Sequence, residues 1–179
     1  EIKWRWASSF PKTLASSWPM MQAFAQRVGE LTDGKLQIQV FGPGEIVAPL
    51  AVSDAVQNGT VEGGFTATYF NFGKDPAFAF GTAIPFGLNT RQLTSWLHAG
   101  GGLKLLNEFH AKYGLHFVPM GMTGAQMGGW YRKEIKSIDD LKGLKMRISG
   151  IGGQVLQRLG VVPQQLAASD VYPALERGV

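Results

Sequence analysis

The stretch that decides the fold is Leu144-Lys145-Met146-Arg147-Ile148-Ser149-Gly150-Ile151-Gly152-Gly153. Its first five residues alternate apolar and basic side chains, which is typical of a strand with Leu144, Met146 and Ile148 on one face. The glycine-rich turn after them leads into a predicted helix that ends at Gly160. A strand that turns directly into a helix is the repeating unit of α/β folds.

The same alternation of strands and helices continues on both sides of this stretch. We predict strands at residues 2–6, 36–40, 61–66, 115–120, 126–132, 144–148 and 161–162. We predict helices at residues 19–31, 47–58, 90–97, 103–113, 153–159 and 170–177, with a short one after Ser137. Residues 69–89 lack either periodicity and are predicted to be ordered but irregular. The sequence therefore predicts an α/β fold with mostly parallel sheets.

Composition excludes several classes of protein. Hydrophobic residues make up 45% of the 179 positions and charged residues 17%, which is typical of a globular chain and excludes intrinsic disorder. The net charge of +4 is not concentrated in a basic run, so a nucleic-acid interface is not indicated. No apolar stretch approaches the roughly 20 residues of a membrane helix. The absence of cysteine excludes disulfides, thiolate chemistry and cysteine-bound zinc.

Two segments follow the same pattern of helix end, capping glycine and β-branched residue. They are residues 55–61 and 174–179. The first continues into a strand, whereas the second reaches the last residue, Val179. We therefore expect further residues after Val179 that complete a second sheet, because an unpaired sheet edge is a liability. The alternative is a terminal helix that lies on a finished domain.

Arg147 is the first candidate for a binding residue. It lies near the carboxyl end of its predicted strand, where ligands bind in open α/β sheets, and just before a helix N-terminus. A guanidinium there can hold a carboxylate through two parallel hydrogen bonds. An arginine that faces solvent or pairs within the protein fits the sequence equally well.

Two further segments contain candidate binding residues. Residues 121–130 combine glycines with polar side chains, and the amide oxygen of Gln126 is a hard donor suited to sodium or calcium. A strand whose glycines merely allow bending is the alternative. Tyr69, Phe70 and Phe72 either line a pocket or belong to the core, where aromatic residues are more common. The three histidines lack the spacing of a metal site.

The glycines at positions 150, 152 and 153 also suggest a different class of protein. A dinucleotide-binding loop has a similar start, and Asp170 lies twenty residues beyond Gly150. However, Val155 occupies the position of the third glycine in that motif. A nucleotide-dependent α/β enzyme therefore stays as the alternative function, and a purely interacting module is a third one.

The chain resembles one known family throughout its length. It is similar to DctP-type solute-binding proteins of TRAP transporters, in the branch that binds 2-oxo and 2-hydroxy monocarboxylates such as pyruvate or lactate. The segments that carry the resemblance are the Lys-Trp-Arg-Trp opening at residues 3–6 and residues 41–47, 54–60, 73–80, 84–89 and 126–130.

The resemblance implies a two-lobed, periplasmic-binding-protein-like α/β fold with the ligand in a cleft between the lobes. The first lobe is expected at residues 1–124 and the start of the second, incomplete lobe at residues 125–179. It implies a periplasmic receptor, not an enzyme, whose signal peptide has been removed. Its partners would be a small organic acid anion, the membrane subunits of a TRAP transporter and, in the full-length protein, a second copy of itself.

The resemblance also assigns roles to four residues. The arginine that clamps the substrate carboxylate corresponds to Arg147. The amide that helps to hold a sodium or calcium ion bridging to the substrate corresponds to Gln126, and the aromatic wall corresponds to Tyr69 or Phe70. The acidic residue and tryptophan that complete the metal site in this family lie beyond Val179, so the chain resembles a protein truncated at its C-terminus.

Overall fold

The computed structural model describes residues 1–178. The strands are β1 (Ile2–Ser8), β2 (Leu36–Phe41), β3 (Gly63–Phe65), β4 (Lys145–Arg147) and β5 (Val162–Gln164). The helices are α1 (Trp18–Leu31), α2 (Val52–Gln57), α3 (Thr90–His98), α4 (Gly102–Ala111), α5 (Gly150–Arg158) and α6 (Val171–Arg177). Short 3-10 turns lie at Pro49–Ala51, Thr68–Asn71, Pro76–Gly81, Ile138–Leu141 and Ala168–Asp170.

The chain forms two compact units. The first contains residues 1–67, 107–120 and 167–172, and the second contains residues 68–106, 121–166 and the residues from Pro173 onward. These bounds are not those of the predicted lobes, so the lobe boundary between residues 124 and 125 stays a prediction. No helix within residues 1–178 is long and apolar enough to cross a membrane.

The first unit is built on a three-stranded parallel sheet. Its strand order is β2-β1-β3, and Trp6 is paired with Val40 on one side and Gly63 on the other. Helix α1 packs on β2, and the ring of Trp6 stacks on Phe24 of that helix at 5.1 Å. A cluster of buried residues lies between β1 and α2 and consists of Ala7, Val52, Ala55 and Val61. The predicted parallel pairing is therefore confirmed.

Strand β1 departs from its prediction in one respect. The alternation of residues 2–6 predicted one buried face, but Ile2 is 60% exposed and Trp4 is 37% exposed. Burial begins only at the carboxyl half of the strand, with Ala7 and Ser8. The alternation defines two faces correctly, but it cannot show how much of a face is covered by other elements.

An ion pair joins β1 to the residue just before β3. The guanidinium of Arg5 donates to both carboxylate oxygens of Glu62, at 2.8 Å and 3.3 Å, and the Arg5 backbone N–H donates at 2.6 Å. The side-chain bond first, and then the backbone bond, lower the pKa of the Glu62 carboxyl from its ordinary 4.5 to about 2. The ionised carboxylate thus helps to hold the start of β3 against β1.

We expect the acid sensitivity of the protein to depend on Glu62. Because its pKa is lowered on folding, its contribution to stability is present above pH 4.5 and is lost as the pH falls towards 2. The free energy of unfolding of Glu62→Gln should therefore change less steeply between pH 4.5 and 2 than that of the wild type. Urea titrations at several pH values measure this slope. Glu134→Gln, which removes a 77% exposed carboxylate near Lys136, is the matched control, and equal slopes in all three proteins would contradict the prediction.

The second unit contains a two-stranded parallel sheet of β4 and β5. Arg147 is paired with Gln164 in this sheet, and α5 packs on β5. The 3-10 turns Thr68–Asn71 and Pro76–Gly81 pack on each other and bury Phe78 and Ala79. Apart from Thr68, these turns fall within residues 69–89, which the sequence correctly predicts as ordered but irregular.

Two of the predicted strands are wrong. Residues 115–120 and 126–132 form neither strand nor helix. Alternation shows only that a segment could lie on a sheet, whereas a strand also needs a neighbour that bonds its backbone. At Phe117 a side chain takes that place, because Asn107 accepts from the Phe117 N–H at 2.7 Å and donates to its carbonyl oxygen at 3.0 Å.

Candidate functional site

All four predicted site residues lie in the second unit. Tyr69 and Phe70 belong to the 3-10 turn Thr68–Asn71, Gln126 to the irregular segment after Met120, and Arg147 to the end of β4. Hydrogen bonds through neighbouring residues connect the turn of Tyr69 and Phe70 to the end of β4, where Arg147 lies. The described hydrogen bond of Gln126 is to Thr123 and reaches none of the other three.

Arg147 is the last residue of β4 and is exposed. Its Nε donates to the carbonyl oxygen of Leu166 at 3.1 Å, which fixes the base of the guanidinium group. Within residues 1–178 no carboxylate forms an ion pair with Arg147. The two terminal nitrogens of its planar group therefore keep the donors that a bidentate contact with a carboxylate needs. Its role as a clamp stays a prediction.

The turn between β4 and α5 places Arg147 beside a helix N-terminus. Ser149 is the N-cap of α5 in an extended conformation, and Gly150 follows with φ of +65°. This left-handed conformation favours glycine, which explains the sharp turn out of the strand. A Cβ atom on Gly150 would lie 3.7 Å from the Cβ atom of Tyr69, so the turn passes close to the aromatic residues.

Tyr69 and Phe70 differ in their burial. Their ring centroids are 4.7 Å apart and the rings are tilted by 57°. Phe70 is 8% exposed and belongs to the buried part of the unit, while Tyr69 is half-buried. Of the two predicted wall residues, Tyr69 therefore has more surface to offer a ligand.

Gln165 connects the aromatic turn to the start of α5. Its amide oxygen accepts from the Ser149 hydroxyl at 2.6 Å, and its amide nitrogen donates to the carbonyl oxygen of Phe70 at 3.0 Å. Gln165 was not among the binding residues predicted from the sequence. The signal that could have found it is its position, one residue past the carboxyl end of a strand that pairs in parallel with the strand of Arg147.

Gln126 lies in an exposed segment without regular structure. Its amide nitrogen donates to the Thr123 hydroxyl at 3.0 Å, which leaves the amide oxygen available as a hard ligand. A calcium ion takes six to eight oxygen ligands, yet residues 1–178 bring no three acidic, histidine or cysteine side chains together. The described residues thus fit one ligand of such an ion and not a complete site.

A pocket of about 240 Å³ lies beside the turn between β4 and α5. Its lining includes Phe72, Ser149, Gly150 and Gln165, and the other lining residues are also uncharged. None of the four predicted site residues lines it. A second pocket, of about 410 Å³, lies in the first unit between α1 and β2. Neither pocket contains a charged group that could recognise an organic anion.

The comparison with protein families decides the relationship. Residues 10–179 match DctP, the bacterial extracellular solute-binding protein family 7. The chain belongs to this family. It is 51% identical over 177 residues to a monocarboxylate 2-oxoacid-binding periplasmic protein of Nostoc sp., and the match covers 99% of this chain and 48% of the relative. The chain therefore spans about half the length of the curated relative.

Solved structures of DctP relatives show the same fold. The chain is 50% identical to a TRAP transporter solute-binding protein of Bordetella bronchiseptica, with a TM-score of 0.94, and that crystal contains calcium and picolinate. It is 38% identical to one from Pseudoalteromonas atlantica, with a TM-score of 0.96, which holds sodium and pyruvate. The matches cover 99% of this chain and 53% and 54% of those two chains. The predicted periplasmic-binding-protein-like fold is confirmed.

Proposed function

We propose that the DctP chain is part of an extracytoplasmic receptor that captures a small 2-oxo or 2-hydroxy monocarboxylate for a TRAP transporter. The observation that carries the proposal is Arg147, an exposed guanidinium at the carboxyl end of β4 with no acidic partner among residues 1–178. The proteins of known ligand add support, since the Nostoc relative is named for 2-oxoacid binding and the Pseudoalteromonas structure contains pyruvate.

Arg147 performs recognition in this proposal. Its two terminal nitrogens donate parallel hydrogen bonds to the two carboxylate oxygens, while Nε stays bonded to Leu166. Tyr69 packs against the carbon skeleton of the acid, with Phe70 supporting it. Removing water from around the bound acid strengthens the ion pair because the local dielectric falls.

A cation is the second element of the proposal. Gln126 contributes one oxygen to a sodium or calcium ion, which supplies positive charge beside the 2-oxo or 2-hydroxy oxygen of the ligand. Support comes from the ions in the Bordetella and Pseudoalteromonas structures and from the amide oxygen of Gln126, which Thr123 does not engage. Recognition of the carboxylate itself rests on Arg147 and not on the ion.

The proposed partners follow from the same family. A periplasmic location and delivery to membrane subunits accord with membership in an extracellular solute-binding family. The crystal of the Bordetella relative contains a dimer, which favours a homodimer here. Binding without catalysis is the proposed activity. The family membership gives no support to the nucleotide-dependent enzyme that the glycines after Ile148 suggested.

Calorimetry tests the proposed ligand class. We expect the protein produced from its complete gene to bind pyruvate or lactate saturably, and more tightly with calcium or sodium than with EDTA in choline chloride. Acetate should bind at least about tenfold more weakly, because it lacks the 2-oxo or 2-hydroxy oxygen that the ion would contact. NAD serves as the control ligand for the alternative function. Binding of NAD but of neither acid would contradict the proposal.

A further inference from the structure

We propose that Gln165 is a positioning residue that holds the Arg147 clamp and the Tyr69 wall in one arrangement. The inference rests on the proposed function, since it concerns the geometry of the same binding site. It does not require Gln165 to touch the ligand. Its basis is a set of hydrogen bonds that connects the aromatic turn, through Gln165 and its two neighbours, to Arg147 and the two residues after it.

The first link runs through the side chain of Gln165. The amide nitrogen donates to the carbonyl oxygen of Phe70, which fixes the 3-10 turn that carries Tyr69. The amide oxygen accepts from the Ser149 hydroxyl, two residues after Arg147. One side chain thus connects the wall to the turn that follows the clamp.

The second link runs through the backbone on either side of Gln165. The carbonyl oxygen of Gln164 accepts from the Ile148 N–H at 3.1 Å, and the carbonyl oxygen of Leu166 accepts from Arg147 Nε at 3.1 Å. Three consecutive residues therefore bond to three consecutive residues of the clamp strand and turn. If the Gln165 side chain moved, the adjacent carbonyl oxygen of Leu166 would move with it, and this would change the position of the Arg147 guanidinium that is bonded to it.

The chemistry of the two bonds suits an amide. A side chain at this position must accept from a hydroxyl and donate to a carbonyl at the same time, and the uncharged amide of Gln165 carries an acceptor oxygen and a donor nitrogen on one planar group. Gln165→Ala removes both bonds, so the turn that carries Tyr69 is no longer bonded to the turn that follows Arg147. A binding site whose groups must be ordered by the ligand has lower affinity than one that is ordered beforehand.

The experiment compares Gln165→Ala with two other variants in the protein produced from its complete gene. Ser149→Ala removes one end of the link and keeps the bond to Phe70. Gln157→Ala is the matched control, because it removes an exposed amide from the same 240 Å³ pocket without touching the link. Pyruvate affinity is measured by calorimetry, and the Arg147 Nε–H resonance, assigned by its loss in Arg147→Lys, is followed by NMR without ligand.

We expect Gln165→Ala to bind pyruvate about 5- to 20-fold more weakly and Ser149→Ala to show a smaller loss in the same direction. The Arg147 Nε–H signal should shift or broaden in Gln165→Ala and stay unchanged in Gln157→Ala. Wild-type affinity together with an unchanged Nε–H signal in Gln165→Ala would overturn the inference. Failure of the wild type to bind any 2-oxo acid would instead refute the proposed function, while the ligand-free NMR signal would still test the link.

Discussion

Arg147→Lys should weaken pyruvate binding by about 10- to 100-fold while leaving the fold intact. Hydrogen bonds to a charged partner contribute about 1.5–3 kcal/mol each, and lysine offers a point charge instead of a planar fork. Lysine also loses the Nε contact with Leu166 that fixes the base of the group. Because Arg147 is exposed and ends a short strand, the substitution should have little effect on unfolding.

The size of this loss is measured by calorimetry against a matched arginine. Arg158 lies at the end of α5, in the same unit, and is exposed. Arg158→Lys should bind pyruvate as the wild type does, and both variants should unfold at the wild-type urea concentration. Unchanged affinity in Arg147→Lys would show that the guanidinium is not the clamp, even if the protein binds 2-oxo acids by other groups.

Placement of Arg147 is the part of the candidate site that the sequence predicts well. Alternation at residues 144–148 puts the arginine near the end of a strand, and the glycines after it put that end next to a helix. The structure has both features, in β4 and α5. Local patterns suffice here because strand, turn and helix are all defined by neighbouring residues.

The link through Gln165 shows what local patterns cannot predict. Gln165 and Phe70 are 95 residues apart, and the bond between them depends on how the 3-10 turn packs near the end of β5. Neither residue lies in a repeating pattern that would bring them together. Contacts of this kind arise from tertiary packing, and a single sequence contains no direct signal for them.

The predictions of helices and strands differ in the same way, because local patterns suffice for some segments, whereas others depend on which neighbours are available. Helix α1 follows from its apolar spacing and from its stop at Asp33 and Gly34, which both have positive φ. Residues 115–120 have the alternation of a strand, but the side chain of Asn107 bonds the backbone of Phe117 instead. Periodicity predicts what a segment can form, and the available neighbours decide what it does form.

The two glycines of β3 gave an ambiguous signal in the sequence. Glycine weakens a strand, and this lowers the expectation of a strand at residues 61–66. In the structure each glycine makes room for a neighbour: a Cβ atom on Gly63 would lie 2.2 Å from Trp6 Nε1, and one on Gly64 would lie 2.4 Å from a methyl carbon of Val52. The glycines are therefore part of the packing of the first unit.

Gly63→Ala should destabilise the first unit by about 2–3 kcal/mol, which is the upper part of the roughly 1–3 kcal/mol range for overpacking a close-packed site. The added methyl would also lie 2.4 Å from Trp6 Cε2 and 2.8 Å from Cδ1, so it meets the face of a rigid ring and not a flexible chain end. The ring cannot easily move aside, since it stacks on Phe24 at 5.1 Å and Trp6 pairs with Gly63 in the parallel register of the sheet. Urea unfolding followed by circular dichroism measures the loss.

Gly29→Ala is the matched control, because Gly29 lies in α1 of the same unit and its added Cβ atom would come no closer than 4.0 Å to another group. Alanine is the better helix former there, so that variant should be as stable as the wild type or more stable by up to about 1 kcal/mol. The double variant Trp6→Leu with Gly63→Ala separates a clash from a general loss of strand structure. If the clash is the cause, the alanine should cost at least 1 kcal/mol less in the Trp6→Leu background. Additive losses would show that Gly63 matters for its backbone and not for the space it leaves to the indole ring.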